Sequence, residues 1–236
     1  MTSSLLARAK ASLKSRLFAK TNGSRARNYQ AVCLTPEEIA AASYKRFLGG
    51  GADAWQTRGL FQLQLLKDRG LSPTCSCLDL GCGPLRAGMH IIAYLNKGGY
   101  LGIDFNESFI DAARYVIEEQ GLTGKEPVVL LSQDFSIPGL DRKFDYAIAF
   151  SVLNHCDQRS KQIFFDRVPS YLGDGGRIII SHAGWLEEGM VRDAGLKVLD
   201  VIGPEHYDLA LYGWAGDEAR NVFPIVEVAK PEGRWG

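Results

Sequence analysis

The run Cys77-Leu-Asp-Leu-Gly-Cys-Gly-Pro-Leu-Arg-Ala-Gly88 decides how the rest of the chain is read. Its apolar start ends in Asp79, a tight turn follows at Gly81-Cys82-Gly83, and Met89, Ile91, Ile92 and Leu95 then fall at helical spacing. Strand, glycine turn and helix in that order aim backbone N–H groups and the positive end of a helix at a ligand. One glycine permits the sharp turn; the other lets a ligand reach the backbone with no Cβ in the way. A nicotinamide dinucleotide site requires G-x-G-x-x-G. Arg86 occupies the third position, so that pattern fails, and a nucleotide-dependent oxidoreductase is the weaker reading.

Moving outward, Gly99-Tyr-Leu-Gly-Ile-Asp104 is a second short apolar strand that ends in an acid. Asp104 lies 23 positions after Gly81, the span of one βαβ unit, where an acid ending the second strand accepts hydrogen bonds from ribose hydroxyls. A helix is expected over Glu107–Gln120, stopped by Gly121, and a third strand over Val128–Leu131 leading into Ser132-Gln133-Asp134-Phe135. The fourth strand, Lys143–Phe150, leads into Ser151-Val-Leu-Asn-His155. A helix near Arg159–Tyr171, disturbed by Pro169, precedes a turn at Gly173-Asp-Gly-Gly176 and a fifth strand at Arg177–Ser181. Lys197–Val201 and Phe223–Ala229 read as two more strands. Strands alternating with helices argue for a parallel sheet covered on both faces. The special residues all fall after strands one to four, at the carboxyl edge where such sheets bind ligands.

Asp-x-Gly-x-Gly closing a first strand resembles the first motif of class I S-adenosylmethionine-dependent methyltransferases, and the resemblance extends over residues 75–182. Where that family often has a further glycine, this chain has Leu85. The resemblance implies an α/β Rossmann-like fold: a seven-stranded, mostly parallel, doubly wound sheet with its last strand antiparallel. It implies S-adenosyl-L-methionine as cofactor, held by Asp79, Gly81, Gly83, Asp104, Phe105, Asp134, Phe135 and Ser151. Gly83-Pro-Leu-Arg-Ala-Gly, Tyr94-Leu and Tyr100-Leu-Gly-Ile-Asp further resemble a bacterial branch that modifies small molecules or glycans. Ser151-Val-Leu-Asn154 lacks the Asn/Asp-Pro-Pro-aromatic run of DNA amino-group methylases, so no DNA substrate is expected.

The remaining features set the surroundings. With 236 residues there is room for one α/β domain plus additions. Three parts are expected: a basic arm over 1–34, a helical cap over 35–70 and the Rossmann-like domain over 71–236. No apolar run reaches the roughly 18 residues of a membrane span. The formal net charge of zero hides an asymmetry. Residues 1–36 carry seven of the 27 basic residues and none of the 27 acidic ones, which leaves −7 on the body. Such a body gives little reason to expect nucleic-acid binding. Leu5, Leu6, Leu13, Leu17 and Phe18 alternate with Arg8, Lys10, Lys14 and Arg16 as in a basic amphipathic helix. Residues 1–27 therefore fit a membrane-surface patch, a targeting peptide or an arm over the active site.

Thr35-Pro36-Glu37-Glu38 starts a helix expected to run to about Phe47, and a second is expected over Asp53–Arg69. Five cysteines in an odd, non-C-x-x-C arrangement read as reduced thiols of a cytoplasmic protein, and the four histidines have no metal-ligand spacing. His155, placed after strand four, is the candidate base for a hydroxyl acceptor. The aromatic insert after the sixth strand offers His206, Tyr207, Tyr212 and Trp214 as a substrate wall, with core packing as the equal alternative. The expected activity is methyl transfer to a small-molecule or sugar-like acceptor, at oxygen rather than nitrogen. The alternatives are a cofactor-holding partner subunit without catalysis, and a methyltransferase of protein or RNA.

Overall fold

A computed structural model of the protein describes residues 32–47, 52–212 and 222–231. Seven strands form one sheet: β1 (Cys77–Leu80), β2 (Tyr100–Asp104), β3 (Val128–Leu131), β4 (Phe144–Ala149), β5 (Leu172–Ile180), β6 (Lys197–Ile202) and β7 (Ile225–Ala229). Their order is β3-β2-β1-β4-β5-β7-β6. All neighbours pair in parallel except β7, which is antiparallel to both β5 and β6. The chain winds outward from β1 to β3, returns to β4 and winds the other way. The gap between β1 and β4 is therefore a topological switch point, where open α/β sheets bind ligands.

Burial follows from place in the sheet. β1 is central and buried at every position, as its unbroken apolar run requires. β3 is the edge strand and leaves Val128 and Leu131 exposed. The helices, α1 (Pro36–Ala40), α2 (Tyr44–Phe47), α3 (Ala52–Asp68), α4 (Gly88–Tyr94), α5 (Glu107–Glu119), α6 (Gln158–Tyr171) and α7 (Glu188–Asp193), make two cores. Trp55, Phe61 and Leu65 of α3 pack with Ile91 of α4 and Phe109 of α5 in one core. Phe164 and Phe165 of α6 pack with Val191 of α7 in the other. The sheet thus carries helices on both faces. A polar network also ties the end of α3 to the far strands. Glu227, only 3% exposed on β7, faces Arg177 at 2.9 Å and Arg69 at 3.7 Å, and Arg69 reaches Asp200 of β6 at 2.6 Å.

Three elements differ from the sequence expectation. The helix started by the Thr35 capping box stops at Ala40, because Ala42 turns left-handed (φ 53°) and Ser43 N–H donates back to Glu38 O; α2 then starts afresh. The glycine turn before the fifth strand is a bulge within it: Leu172 pairs with Phe144 and Arg177 with Tyr146, so 173–176 loop out of the ladder. Helix α7 and the 3₁₀ turn Ala183–Trp185 fill a stretch for which the sequence suggested no element. Residues 1–31 of the basic arm and the glycine run 49–51 lie outside the described residues.

Candidate active site

The turn after β1 is built tightly against its neighbours. Gly81 sits at φ 77°, and a Cβ there would lie 2.4 Å from Val152 Cγ2 in the loop after β4. Only glycine satisfies both the backbone and the contact. The N–H groups of Gly81 and Cys82 donate to Ile103 O at 2.8 and 2.9 Å, and Gly83 N–H donates to Asp104 Oδ2 at 2.9 Å. These donors are spent on β2 and do not face outward, contrary to the expectation that the turn would offer them to a ligand. That arrangement suits a carboxylate-presenting site and not a pyrophosphate cradle.

Two carboxylates lie on neighbouring strands near this edge: Asp79 of β1 pairs with Gly102 of β2, and Asp104 follows two residues further along β2. Asp104 is 5% exposed, and its Oδ1 accepts Asn106 N–H at 2.9 Å while Oδ2 holds Gly83. Burial pushes its pKa up, and the N–H groups of Asn106, Gly83 and Phe105 oppose that. Asp79 is 4% exposed and accepts Tyr100 O–H at 2.7 Å. Burial pushes it up to about 7; the Asp104 charge adds to the rise, and the Tyr100 hydrogen bond and the Arg86 charge oppose it. Beyond Asp104, a cavity of about 680 Å³ opens between Phe105, Asn106, Asp111 and Gln133 on one side and residues 32–34 on the other. Phe105 is 38% exposed beside it.

The loop after β3 is disposed differently. Asp134 pairs with Arg167 of α6 and caps Ser136 N–H at 3.1 Å; these hydrogen bonds pull its carboxyl down to about 2. Phe135 turns left-handed (φ 60°) and packs edge-on against Phe164, 5.4 Å between ring centres. Gln133 is the residue of that loop lining the cavity, a position the sequence did not single out.

On the other side of the switch point, Ser151 (φ 59°) donates its N–H to Ser181 Oγ at 2.8 Å, and its own Oγ lies 2.9 Å from His182 Nε2. Parallel pairing of Ala149 with Ile180 puts the residues after β4 and β5 level. His182 is absent from the sequence-based site; its one signal is standing directly after an apolar strand, as Ser151 does. Burial, then the His155 and Arg86 charges, pull His182 down to about 4. His155 is exposed at the surface, with Nε2 3.2 Å from Asn154 Nδ2, and partial desolvation lowers its pKa. Arg86, His155 and His182 thus converge from three adjacent strands.

The aromatic insert folds back onto α3. Tyr207 and Tyr212 meet Phe61 edge-on, at 5.1 and 5.2 Å between ring centres. Burial and the nearby Asp68 push the Tyr207 hydroxyl up to about 12. His206 Nδ1 closes a local turn on Gly203, 3.2 Å from its N–H. Trp214 lies outside the described residues. Among the described residues no His, Cys, Asp and Glu cluster fits a metal ion, and no helix is long and apolar enough to cross a membrane.

Residues 78–178 match a family described as a methyltransferase domain. Among solved structures, magnesium protoporphyrin IX methyltransferase from Synechocystis PCC 6803 with bound SAM is similar at 16% identity and TM-score 0.58, covering 81% of this chain and 91% of that one. A TehB-like SAM-dependent methyltransferase from Corynebacterium glutamicum is 17% identical at TM-score 0.54, over 83% and 97% of the two chains. The [4+2]-cyclase SpnF is 20% identical at TM-score 0.51, over 72% and 80%. Likeness at this level fixes the fold, and the cyclase shows why reaction is argued from the site.

Proposed function

We propose that this chain, whose residues 78–178 match a methyltransferase domain, is a class I, S-adenosylmethionine-dependent methyltransferase that transfers a methyl group to an oxygen of a small-molecule or sugar-like acceptor. One observation carries the reading: Asp104, clamped by Gly83 and Asn106, immediately precedes Phe105 and Asn106, which line the 680 Å³ cavity, and the Ser151, His155 and His182 group follows β4 and β5 on the other side of the switch point. The donor set fits the cofactor. Asp104 presents a carboxylate to ribose hydroxyls, Phe105 an aromatic face and Gln133 an amide to the base, and Asp79 a second carboxylate near the turn. The inward N–H groups disfavour a pyrophosphate.

When bound, S-adenosylmethionine supplies an electrophilic methyl and keeps the carbon–sulfur electron pair on sulfur, so the chain's own part is to hold the acceptor oxygen in line, exclude water and take up the acceptor's proton. A hydroxyl acceptor gives its proton to the His155 imidazole, which lowered pKa keeps neutral and able to accept near pH 7. Ser151 and His182 form the adjoining wall. Glycans, a cytoplasmic setting and surface contact by residues 1–27 belong to the same reading; the free thiols of Cys75, Cys77, Cys82 and Cys156 suit a reducing compartment.

Calorimetric titration tests the cofactor: S-adenosylmethionine or its demethylated product binds, and NAD does not. Incubation with a metabolite pool and labelled cofactor, followed by mass spectrometry, tests the transfer by the appearance of a product one CH₂ heavier. His155→Gln is expected to keep cofactor affinity and lose about 10²–10⁴-fold in rate, the loss following a group that titrates below the ordinary histidine value. A normal rate across pH removes His155 from the mechanism.

A further inference from the structure

Asn106 serves two structures at once. Its backbone N–H holds Asp104 Oδ1 at 2.9 Å, and its side-chain Oδ1 caps α5 by accepting Ser108 O–H at 2.8 Å and Phe109 N–H at 3.3 Å. Its Nδ2 reaches back 74 positions to donate to Val32 O at 2.8 Å. That bond fastens a segment from outside the matched methyltransferase domain onto the rim of the cavity. Leu34 is buried and Val32 partly buried against the main core, so the segment is anchored on both sides of Cys33. Cys33 itself is exposed and lines the cavity together with Phe105. The volume, about 680 Å³, lies within the usual range of ligand pockets.

We propose that residues 32–34 are the outer wall of the adenosine side of the cofactor site, and that Asn106 positions this wall through its bond to Val32. The inference rests on reading the β1–β2 edge as the S-adenosylmethionine site. The cofactor's base then lies between Phe105 and the strap, and its ribose meets Asp104, whose orientation and whose cover depend on the same asparagine. Binding covers the Cys33 thiol.

The thiol supplies a readout independent of catalysis. Cofactor-free protein is alkylated with N-ethylmaleimide, and each cysteine is followed by peptide mass spectrometry. S-adenosylhomocysteine at about ten times its Kd slows Cys33 labelling about tenfold by mass action. Cys75, held by Ser72 at the opposite edge of the sheet, keeps its rate. Asn106→Ser keeps a residue that caps helices well and removes the amide donor. It is expected to raise the S-adenosylhomocysteine Kd about two- to tenfold, the worth of one hydrogen bond, and to speed Cys33 labelling in the free protein. S-adenosylhomocysteine that binds by calorimetry while Cys33 stays unprotected overturns the wall; an Asn106→Ser protein with native Kd and native labelling overturns the positioning role. Absence of S-adenosylhomocysteine binding to the unaltered protein is a different result, and it removes the cofactor reading beneath both.

Discussion

Burial disfavours the charged form of both Asp79 and His182, and their effects on stability oppose each other. Asp79 is raised to about 7 and His182 lowered to about 4. From about pH 4 to 6.5, folded Asp79 keeps a proton that the unfolded chain has lost, so stability falls as pH rises. Over the same window the unfolded chain protonates His182 and the folded protein does not, so that contribution rises with pH. The two slopes, each about 1.4 kcal/mol per pH unit at most, cancel. His182→Gln is therefore expected to lose stability, relative to the parent, on going from pH 4.5 to 6.5, and Asp79→Asn to gain it. Urea unfolding of cofactor-free protein at both pH values measures the differences, and parallel pH profiles for parent and variants refute the burial of these charges. His182 itself shows the limit of reading residues singly. Its importance comes from a partner 31 positions away that only the β4–β5 register supplies.

At the scale of elements, the critical contact is between α3 and the turn that leads into α4. A Cβ on Gly59 would sit 2.1 Å from Arg86 O and 2.7 Å from the His90 ring. The first neighbour is backbone and cannot swing away. Gly59→Ala should cost about 1–3 kcal/mol by overpacking, despite alanine's better helix propensity, and should weaken S-adenosylhomocysteine binding because the displaced turn carries Gly81 and Gly83. Unchanged urea midpoint and affinity would show that α3 docks elsewhere. Strands β1 to β4 and β6 were legible in the sequence to within about a residue, since apolar runs bounded by glycine or an acid admit few alternatives, whereas β5 starts five residues earlier than expected and β7 two later. The place of Asp104 at the end of the strand next to β1 was legible from its 23-residue βαβ spacing after Gly81. The break at Ala42, the bulge at 173–176 and α7 were not. Ala42 carries no glycine signal, the bulge is defined by the partner strand, and α7 is six residues long with one buried side chain, Val191. For Asp134 and Phe135, the competing partners Arg167 and Phe164 are on a helix about 30 positions away, beyond what a local motif records.

For the whole molecule, the separation of charge is the feature with the longest reach. Seven basic residues precede an acidic body of −7, and the chain enters the described structure at Val32, already fastened to Asn106 at the cavity rim. An arm joined there has a short path back to its own body, and intramolecular attachment gives it a high effective concentration. We expect deletion of residues 1–27 to lower Tm by about 2–4 °C for each kcal/mol of docking lost, or to raise the acceptor KM. The difference should shrink in 1 M salt, where the screening length falls to about 3 Å from about 10 Å at 0.1 M. Anionic vesicles supply the competing surface: a truncated protein equal to the full chain in Tm and KM, but no longer sedimenting with phosphatidylserine vesicles, assigns the arm to a membrane. A salt-insensitive fall in Tm instead means that Leu5, Leu6, Leu13 and Leu17 pack as apolar groups, with the basic side chains facing solvent.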